Sequence, residues 1–267
     1  MIRAAELVGS HDVLLVTLDS LRYDVAATAL AAGRTPNLAG LLPAGRWERR
    51  HAPGSFTYAA HQAIFAGFLP TPAEPGPHHR HFALRFEGSR TTGPDTVLFD
   101  APDIVSGLAA RGYHTLCIGG VGFFNKRTPL GRVLPGLFAE SHWHGRFGVQ
   151  ARDSTEAQVG FAVERIAALP PERKLFLFLN VSATHHPTCA YLPGASRESA
   201  ETQGAALAYA DGALPPLFAA LSRRGPAFCI LCADHGTAFG EDGYRGHRLA
   251  HPTVWDVPYA EFIQEAA

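Results

Sequence analysis

The sequence predicts an α/β fold in which a mostly parallel sheet carries helices on both faces. Apolar runs of strand length end in polar residues, and segments with the apolar spacing of helices separate these runs. Parallel strands need crossover connections, which are usually helices, so this alternation favours parallel pairing. The first run, DVLLVTLD at 12–19, is apolar almost throughout, which is typical of a strand buried on both faces.

The remaining elements follow along the chain with clear boundaries. Pro36 is expected in the first turn of a helix, where its missing N–H has no partner to lose. Gly112 is expected to end a helix that precedes a strand within 101–120. Residues 71–94 are rich in Pro, Gly and His and are expected to be irregular, and 120–150 shows no clear pattern. Further strands are predicted at 45–52, 174–182 and 227–236, and the predicted helices span 35–42, 57–68, 154–169 and 199–222.

Length and charge bound the functions that the chain can have. Hydrophobic residues make up 46% of the 267 residues, enough for a sizeable core, and no linker divides them, so one domain over 1–267 is expected. The 23 Lys+Arg and 24 Asp+Glu give a net charge of −1, which excludes nucleic-acid binding through bulk charge. The 14 histidines direct attention to metal ligands and proton carriers.

The same sequence predicts a cytoplasmic location. The N-terminus shows no signal peptide, and no run reaches the roughly 18 apolar residues that a membrane span needs. The cysteines are expected as reduced, buried thiols. Cys229 and Cys232 lie three apart on a predicted strand, so they point to opposite faces and cannot easily bind one ion.

Polar residues that follow the predicted strands are the candidates for a site, because ligands of such sheets bind at the carboxyl ends of strands. Asp19 follows the first strand, and Asp234-His235-Gly236 follows the last. Carboxylates and an imidazole suit a divalent transition metal, and Gly236 permits a sharp turn. A helix cap is the alternative role for either acid.

Thr57 lies at the start of a predicted helix, in PGSFTYAAHQAIFAG. Free N–H groups at a helix start suit a phosphate, and a hydroxyl there either caps the helix or attacks an anionic substrate. Ser55 is the competing cap. His185 and His186 follow a strand end, and His247 lies in a loop with Gly and Arg. These histidines are candidates for substrate or metal contacts, or else they are surface residues.

Taken in order, these segments resemble the alkaline-phosphatase superfamily in its sulfatase-like branch. LVTLDSLRYD (15–24) resembles the first metal-binding strand of that branch, and APGSFTYAAHQAIFAGFLP (52–70) resembles its nucleophile segment. LAARGYHTLCIGG (108–120) is similar to its GY-x-T stretch, and CADHGTAFGEDGYRGH (232–247) is similar to its late metal motif. The resemblance covers most of the chain and implies the alkaline-phosphatase-like three-layer sandwich.

The departures from the sulfatase pattern indicate phosphoester chemistry. Sulfatases convert a Cys or Ser to formylglycine, whereas the spacing to Gly67 places Thr57 at that position, and threonine cannot form formylglycine. Ser20 stands where sulfatases have a second Asp. A threonine nucleophile is typical of phosphoethanolamine transferases and lipoteichoic acid synthases, whose phosphate-site histidines match His185 and His247. Those relatives work outside the membrane behind transmembrane helices, so their lipid substrates are not expected here.

The resemblance therefore implies a hydrolase or transferase that acts on small-molecule phosphoesters (monoesters, diesters or phosphonate esters) through a threonine. A degenerate family member that only binds a partner, and a nucleotide-binding α/β protein, are the alternatives. The small C-terminal subdomain of sulfatases is expected to be short or absent. The implied ligands of one Zn²⁺ or Mn²⁺, with a second ion left open, are Asp19, Thr57, Asp234 and His235. The implied catalytic residues are Thr57, His185 and His247, and the implied substrate-binding residues are His61 and His186.

Overall fold

The computed structural model describes residues 2–67, 82–84, 97–99 and 103–267 of the chain. The described strands are β1 (Asp12–Leu18), β2 (Glu48–His51), β3 (Phe82–Leu84), β4 (Val97–Phe99), β5 (His114–Ile118), β6 (Glu140–His142), β7 (Leu175–Val181), β8 (Ala227–Cys232), β9 (Ala238–Phe239), β10 (Arg245–Gly246) and β11 (Asp256–Gln264). The described α-helices are α1 (Tyr23–Ala31), α2 (Pro36–Leu41), α3 (Thr57–Ala66), α4 (Ile104–Ala110), α5 (Pro129–Val133), α6 (Ser154–Ala168), α7 (Ala200–Ala213), α8 (Pro215–Ser222) and α9 (Pro252–Trp255).

Seven of the described strands form one mixed sheet in the order β2-β11-β8-β1-β7-β5-β6. β1 lies at its centre and pairs in parallel with β7 and β8, and β5 and β6 continue the parallel part. β11 pairs antiparallel with both β8 and β2. The prediction of a mostly parallel α/β sheet is confirmed, and β11 is a strand that the sequence pattern did not predict.

The core lies on both faces of this sheet, because successive residues of a strand point to opposite sides. Leu14, Val16 and Leu18 of β1 join a hydrophobic cluster that includes residues of α1, α6, α7 and α8. Leu15 joins a second cluster that includes Phe65 of α3. Helices therefore cover each face, as the three-layer prediction requires.

The cysteines agree with this arrangement. Cys229 packs in the first cluster and Cys232 in the second, so the two thiols lie on opposite faces of the sheet, as predicted. All four cysteines are free, but Cys189 is only half-buried, so the expectation of buried thiols holds for the other three. Burial raises the pKa of Cys229 and of Cys232 to about 12, so both are protonated thiols at neutral pH.

Two predicted helices differ from the observed ones. The single helix expected at 199–222 is divided into α7 and α8, because Pro215 and Pro216 lack the N–H groups that a continuous helix needs. The helix expected at 57–68 ends at Ala66, because Gly67 adopts a left-handed conformation (φ +77°). Of the segment 71–94, only β3 is among the described residues.

One stretch of the described chain meets the length and composition of a membrane-crossing helix. It is Ala200–Ser222, which comprises α7 and α8 and has a mean hydropathy of 1.2. Inside the fold, 61% of it is buried, and buried core helices meet the same criterion. The expected absence of a membrane span therefore stays a prediction.

Candidate active site

The candidate site lies where the carboxyl ends of three adjacent strands meet. β1 lies between β7 and β8 in the sheet, so residues that follow these strands come close together. Asp19 follows β1, and Asp234 follows β8 by two residues. Asn180, in β7, lies beside Thr17 of β1. Thr57, the first residue of α3, approaches the same point from above the sheet edge.

Asp19, Asp234 and His235 form a buried triad. One side-chain oxygen or nitrogen of each lies within 4.8 Å of the others, and all three residues are 0% exposed. Thr57 Oγ1 lies 3.4 Å from Asp19 Oδ2 and 3.3 Å from His235 Nε2. Asp234 Oδ2 lies 3.5 Å from His235 Nε2. The structure thus brings together the four residues that the sequence predicts as metal ligands.

Hydrogen bonds from the protein hold the two carboxylates in orientation. Ser20 Oγ donates to Asp19 Oδ1 (3.0 Å), and Asn180 Nδ2 donates to Asp19 Oδ2 (3.1 Å). The backbone N–H groups of Ser20 and His235 donate to Asp234 Oδ1, at 3.1 and 3.0 Å. Because the surrounding donors are already positioned, the carboxylates need little reorganisation to bind an ion.

Two atoms of the triad are suited to bind a metal ion. Asp234 Oδ2 is buried and has no hydrogen-bond partner among the described residues. His235 Nδ1 donates to the Gly236 carbonyl (2.7 Å), and since a carbonyl only accepts, Nε2 keeps a free lone pair. Ligands about 2.0–2.2 Å from a tetrahedral Zn²⁺ are about 3.3–3.6 Å apart. The separations of 3.3, 3.4 and 3.5 Å around Thr57, Asp19, Asp234 and His235 match this spacing.

The charges of the triad also favour a bound cation. Burial raises the pKa of Asp234 well above its ordinary value, and the negative charge of Asp19 raises it further. Burial also raises the pKa of Asp19, but His185, His235 and the Asn180 hydrogen bond outweigh it, so the pKa of Asp19 is lowered overall. Burial lowers the pKa of His235. Two buried carboxylates that repel each other are stabilised by a cation between them.

Thr57 does not cap α3, so the capping role that the sequence left open for it is excluded. No side chain caps this helix, so neither Thr57 nor Ser55 has that role. A Cβ on Gly54 would lie 2.6 Å from the Ala60 nitrogen, so only glycine permits the tight turn before the helix. The helix therefore starts beside the Thr57 hydroxyl without a side-chain cap.

His185, His186 and His247 form a histidine rim next to the buried triad. The ring centre of His247 lies 4.7 Å from that of His235, 5.9 Å from His185 and 6.0 Å from His186. His185 and His247 are half-buried, and His186 is exposed. His247 Nδ1 has no hydrogen-bond partner among the described residues. Burial, followed by the charges of His235 and His185, lowers the pKa of His247 to about 3, so its imidazole is neutral.

His61 lies beneath the site, and the expectation that it binds substrate is wrong. Its ring is 0% exposed; Nδ1 donates to the Thr57 carbonyl (2.8 Å), and Nε2 accepts from Thr17 Oγ1 (3.1 Å). Phe124 and Phe178 pack edge-on against it. Both ring nitrogens are used within the protein, so His61 supports the first turn of α3.

Sequence reasoning missed the roles of two residues beside the triad. Ser20 contributes both its hydroxyl and its N–H, and its backbone is left-handed (φ +61°). Asn180 joins three segments: its Nδ2 donates to Asp19, and its Oδ1 accepts the N–H of Val121 (3.0 Å). A polar residue that interrupts the apolar run LFLFLNV is the signal that could have identified Asn180.

Comparison with known proteins bears on the family and the fold of the chain. The profile of the Sulfatase family matches residues 11–260, whereas no curated protein matches the chain in sequence. The lipooligosaccharide phosphoethanolamine transferase EptA from Neisseria meningitidis superposes with a TM-score of 0.68 and 13% identity, over 96% of this chain and 48% of that one. This chain thus spans about half the length of EptA.

Two further solved structures share the fold. The zinc complex of the C-terminal periplasmic domain of EcEptC from Escherichia coli has a TM-score of 0.65 and 13% identity, over 97% of this chain and 74% of that one. The lipoteichoic acid synthase LtaP from Listeria monocytogenes has a TM-score of 0.62 and 14% identity, over 96% of this chain and 66% of that one. At these identities the likeness is one of fold.

The predicted cytoplasmic location is wrong. EptC domains of this fold from Campylobacter jejuni and Escherichia coli are periplasmic, which points away from the cytoplasm. The prediction depended on an apolar strand near the N-terminus and on buried thiols. Both features result from core packing and carry no information about the compartment.

Proposed function

Because the chain belongs to the Sulfatase family, we propose that it is a metal-dependent hydrolase or transferase that acts on phosphoesters, with Thr57 as the nucleophile. One observation carries the proposal: the Thr57 hydroxyl, which does not cap α3, lies 3.4 Å from Asp19 Oδ2 and 3.3 Å from His235 Nε2. EptA and EptC, which share the fold, are phosphoethanolamine transferases. Their names support a phosphoester substrate for this chain.

Asp19, Asp234, His235 and Thr57 would hold one Zn²⁺ or Mn²⁺. When bound, the ion supplies a Lewis acid that lowers the pKa of the Thr57 hydroxyl. The protein donors on Asp19 and on Asp234 Oδ1 keep the remaining oxygen, Asp234 Oδ2, directed into the site. The mixture of oxygen and nitrogen ligands suits either ion.

The residues of this chain then divide the reaction between them. Thr57 Oγ1 gives its proton to solvent and attacks phosphorus, the bond from phosphorus to the leaving-group oxygen breaks, and phosphothreonine forms while the departing oxygen takes a proton from solvent. Backbone N–H groups at the start of α3, which no side chain caps, donate to the non-bridging oxygens of the phosphoryl group. His185 and His247 contact the same oxygens. With its pKa lowered to about 3, His247 is neutral and suits hydrogen bonding better than protonation of the leaving group. Water or another acceptor then takes the phosphoryl group from Thr57.

Sulfate esters are expected to be poor substrates in spite of the family name. Formylglycine expels sulfate through a hemiacetal, a route that a threonine hydroxyl lacks, whereas water can open a phosphothreonine at phosphorus. With Zn²⁺ or Mn²⁺ present, we expect 4-nitrophenyl phosphate or bis(4-nitrophenyl) phosphate to be cleaved at least about 10²-fold faster than 4-nitrophenyl sulfate. Faster cleavage of the sulfate would contradict the assignment.

The direct test is to trap the phosphoenzyme. Acid quench during turnover, followed by trypsin, releases the peptide 51–80, which contains Ser55, Thr57 and Thr71. Fragmentation by mass spectrometry should place the phosphate on Thr57. Thr57→Ala should fold normally, since its hydroxyl caps nothing, but lose turnover by about 10³-fold or more. Ser55→Ala is the matched control and should retain activity.

Phosphate on Ser55, or full turnover by Thr57→Ala, would overturn the proposal.

A further inference from the structure

Arg248 is an exposed cation at the entrance of the candidate active site. It follows His247 directly and is exposed, whereas Thr57 is only 2% exposed. The Arg248 backbone N–H donates to the Ser55 carbonyl oxygen (2.7 Å). Its guanidinium carbon lies 5.3 Å from the centre of the Phe56 ring. Ser55 and Phe56 directly precede Thr57, so Arg248 is held beside the proposed nucleophile but closer to solvent.

The guanidinium of Arg248 has no acidic partner in the described part of the chain. Two largely buried arginines differ from it in this respect: Arg22 pairs with Asp24 and Glu241, and Arg224 pairs with Asp12. The face of the Phe56 ring orients the planar guanidinium and leaves its N–H groups available. An oriented, unpaired guanidinium is well suited to bind a carboxylate, phosphate or sulfate group of a ligand.

The anion that fits Arg248 is not the phosphoryl group under attack. That group must reach Thr57 Oγ1 at the buried floor, where the α3 N–H groups, His185 and His247 surround it. Arg248 is exposed, and its guanidinium lies over the ring of Phe56, the residue before Thr57. A substrate that occupies both places is anionic at two separate points.

We propose that Arg248 binds a second anionic group on the organic half of the substrate. The preferred substrates are then phosphoesters whose leaving group itself carries a negative charge. This inference rests on the proposed function and adds the substrate class, because the residues at the floor of the site do not distinguish one leaving group from another.

The test uses two substrates that are matched in size and differ in one charge. Phosphate release is measured from 4-carboxyphenyl phosphate and from 4-carbamoylphenyl phosphate, and from the corresponding 3-isomers to allow for reach. We expect the wild-type protein, loaded with Zn²⁺ or Mn²⁺, to prefer a carboxylate over its amide by about 5-fold in kcat/KM, the size of an exposed ion pair.

Variants of two exposed arginines test which residue causes the preference for the carboxylate. Arg248→Ala should reduce the carboxylate-to-amide ratio to about 1, and Arg248→Lys should restore part of it. Arg245→Ala is the matched control: Arg245 is exposed on the same loop but pairs through its backbone with Phe239 of β9. It should keep the wild-type ratio. No wild-type preference in either isomer, or an unchanged ratio in Arg248→Ala, would overturn the inference.

A binding measurement separates this inference from the proposed function. If the wild-type protein cleaves none of the four compounds, the proposed function fails. Calorimetry with 4-carboxybenzylphosphonate and 4-carbamoylbenzylphosphonate then decides the role of Arg248 alone. Tighter binding of the carboxylate by wild type, lost in Arg248→Ala, supports the anionic subsite, and equal binding of the two phosphonates by wild type contradicts it.

Discussion

The buried triad and the histidine rim lie next to each other but differ in how the protein holds them. In the triad, Asp19, Asp234 and His235 are 0% exposed, and protein donors occupy three of the four carboxylate oxygens. In the rim, His186 is exposed, and His247 Nδ1 has no partner among the described residues. The fold thus orients the triad in advance and leaves rim nitrogens available.

This difference indicates which residues are suited to an ion and which are suited to a substrate. A metal site needs ligands of fixed geometry with oriented partners behind them. A phosphoryl group that enters and leaves needs hydrogen-bond donors that are free until it arrives. We therefore propose that the triad binds the ion and that the rim contacts the substrate oxygens.

Removal of the rim histidines should give the larger effect on turnover. His185→Ala and His247→Ala each take away a proposed contact with the phosphoryl oxygens, and we expect turnover of 4-nitrophenyl phosphate to fall by about 10²-fold. Steady-state kinetics with a fixed excess of metal measure this. His11→Ala, at the opposite ends of the strands, is the control and should have no effect. Unchanged turnover in both rim variants would remove the rim from the site.

Loss of one hydrogen-bond donor to the triad should have a smaller effect, which is on metal affinity. Ser20→Ala removes the hydroxyl that donates to Asp19 Oδ1 but keeps the N–H that donates to Asp234 Oδ1. We expect Zn²⁺ affinity to fall by about 10-fold, with little change in the melting temperature of the metal-free protein. Titration against a zinc-binding dye measures the affinity. An unchanged affinity would mean that the hydrogen bonds on Asp19 do not prepare it for an ion.

Much of the fold could be predicted because the central strands are continuous apolar runs. β1, β7 and β8 follow that pattern, and their carboxyl ends place Asp19 and Asp234 together. β11 was not predictable in this way. It contains Pro258 and partly exposed residues, features typical of an edge, yet it lies between β8 and β2.

The candidate site could be predicted only where a residue's position in the chain was enough. Thr57 lies at the start of a predicted helix, and Asp234-His235 follows the end of a predicted strand. The burial of His61 depends instead on Phe124 and Phe178, which come from distant segments. The hydrogen bond from Asn180 to Asp19 depends on the register between β7 and β1. Such contacts between distant segments leave no local pattern in the sequence.

We propose that the triad holds the ion and the rim does not. The zinc content of four proteins tests this: wild type, Asp234→Ala, Asp234→Asn and His247→Ala. Each is dialysed against the same Zn²⁺ buffer, weakly bound metal is removed, and the bound zinc is measured by mass spectrometry. We expect about one ion per chain in wild type and in His247→Ala, and loss of the ion in Asp234→Ala. Asp234→Asn should keep the fold, because it retains one side-chain oxygen. Full zinc content in Asp234→Ala, or loss of zinc in His247→Ala, would contradict it.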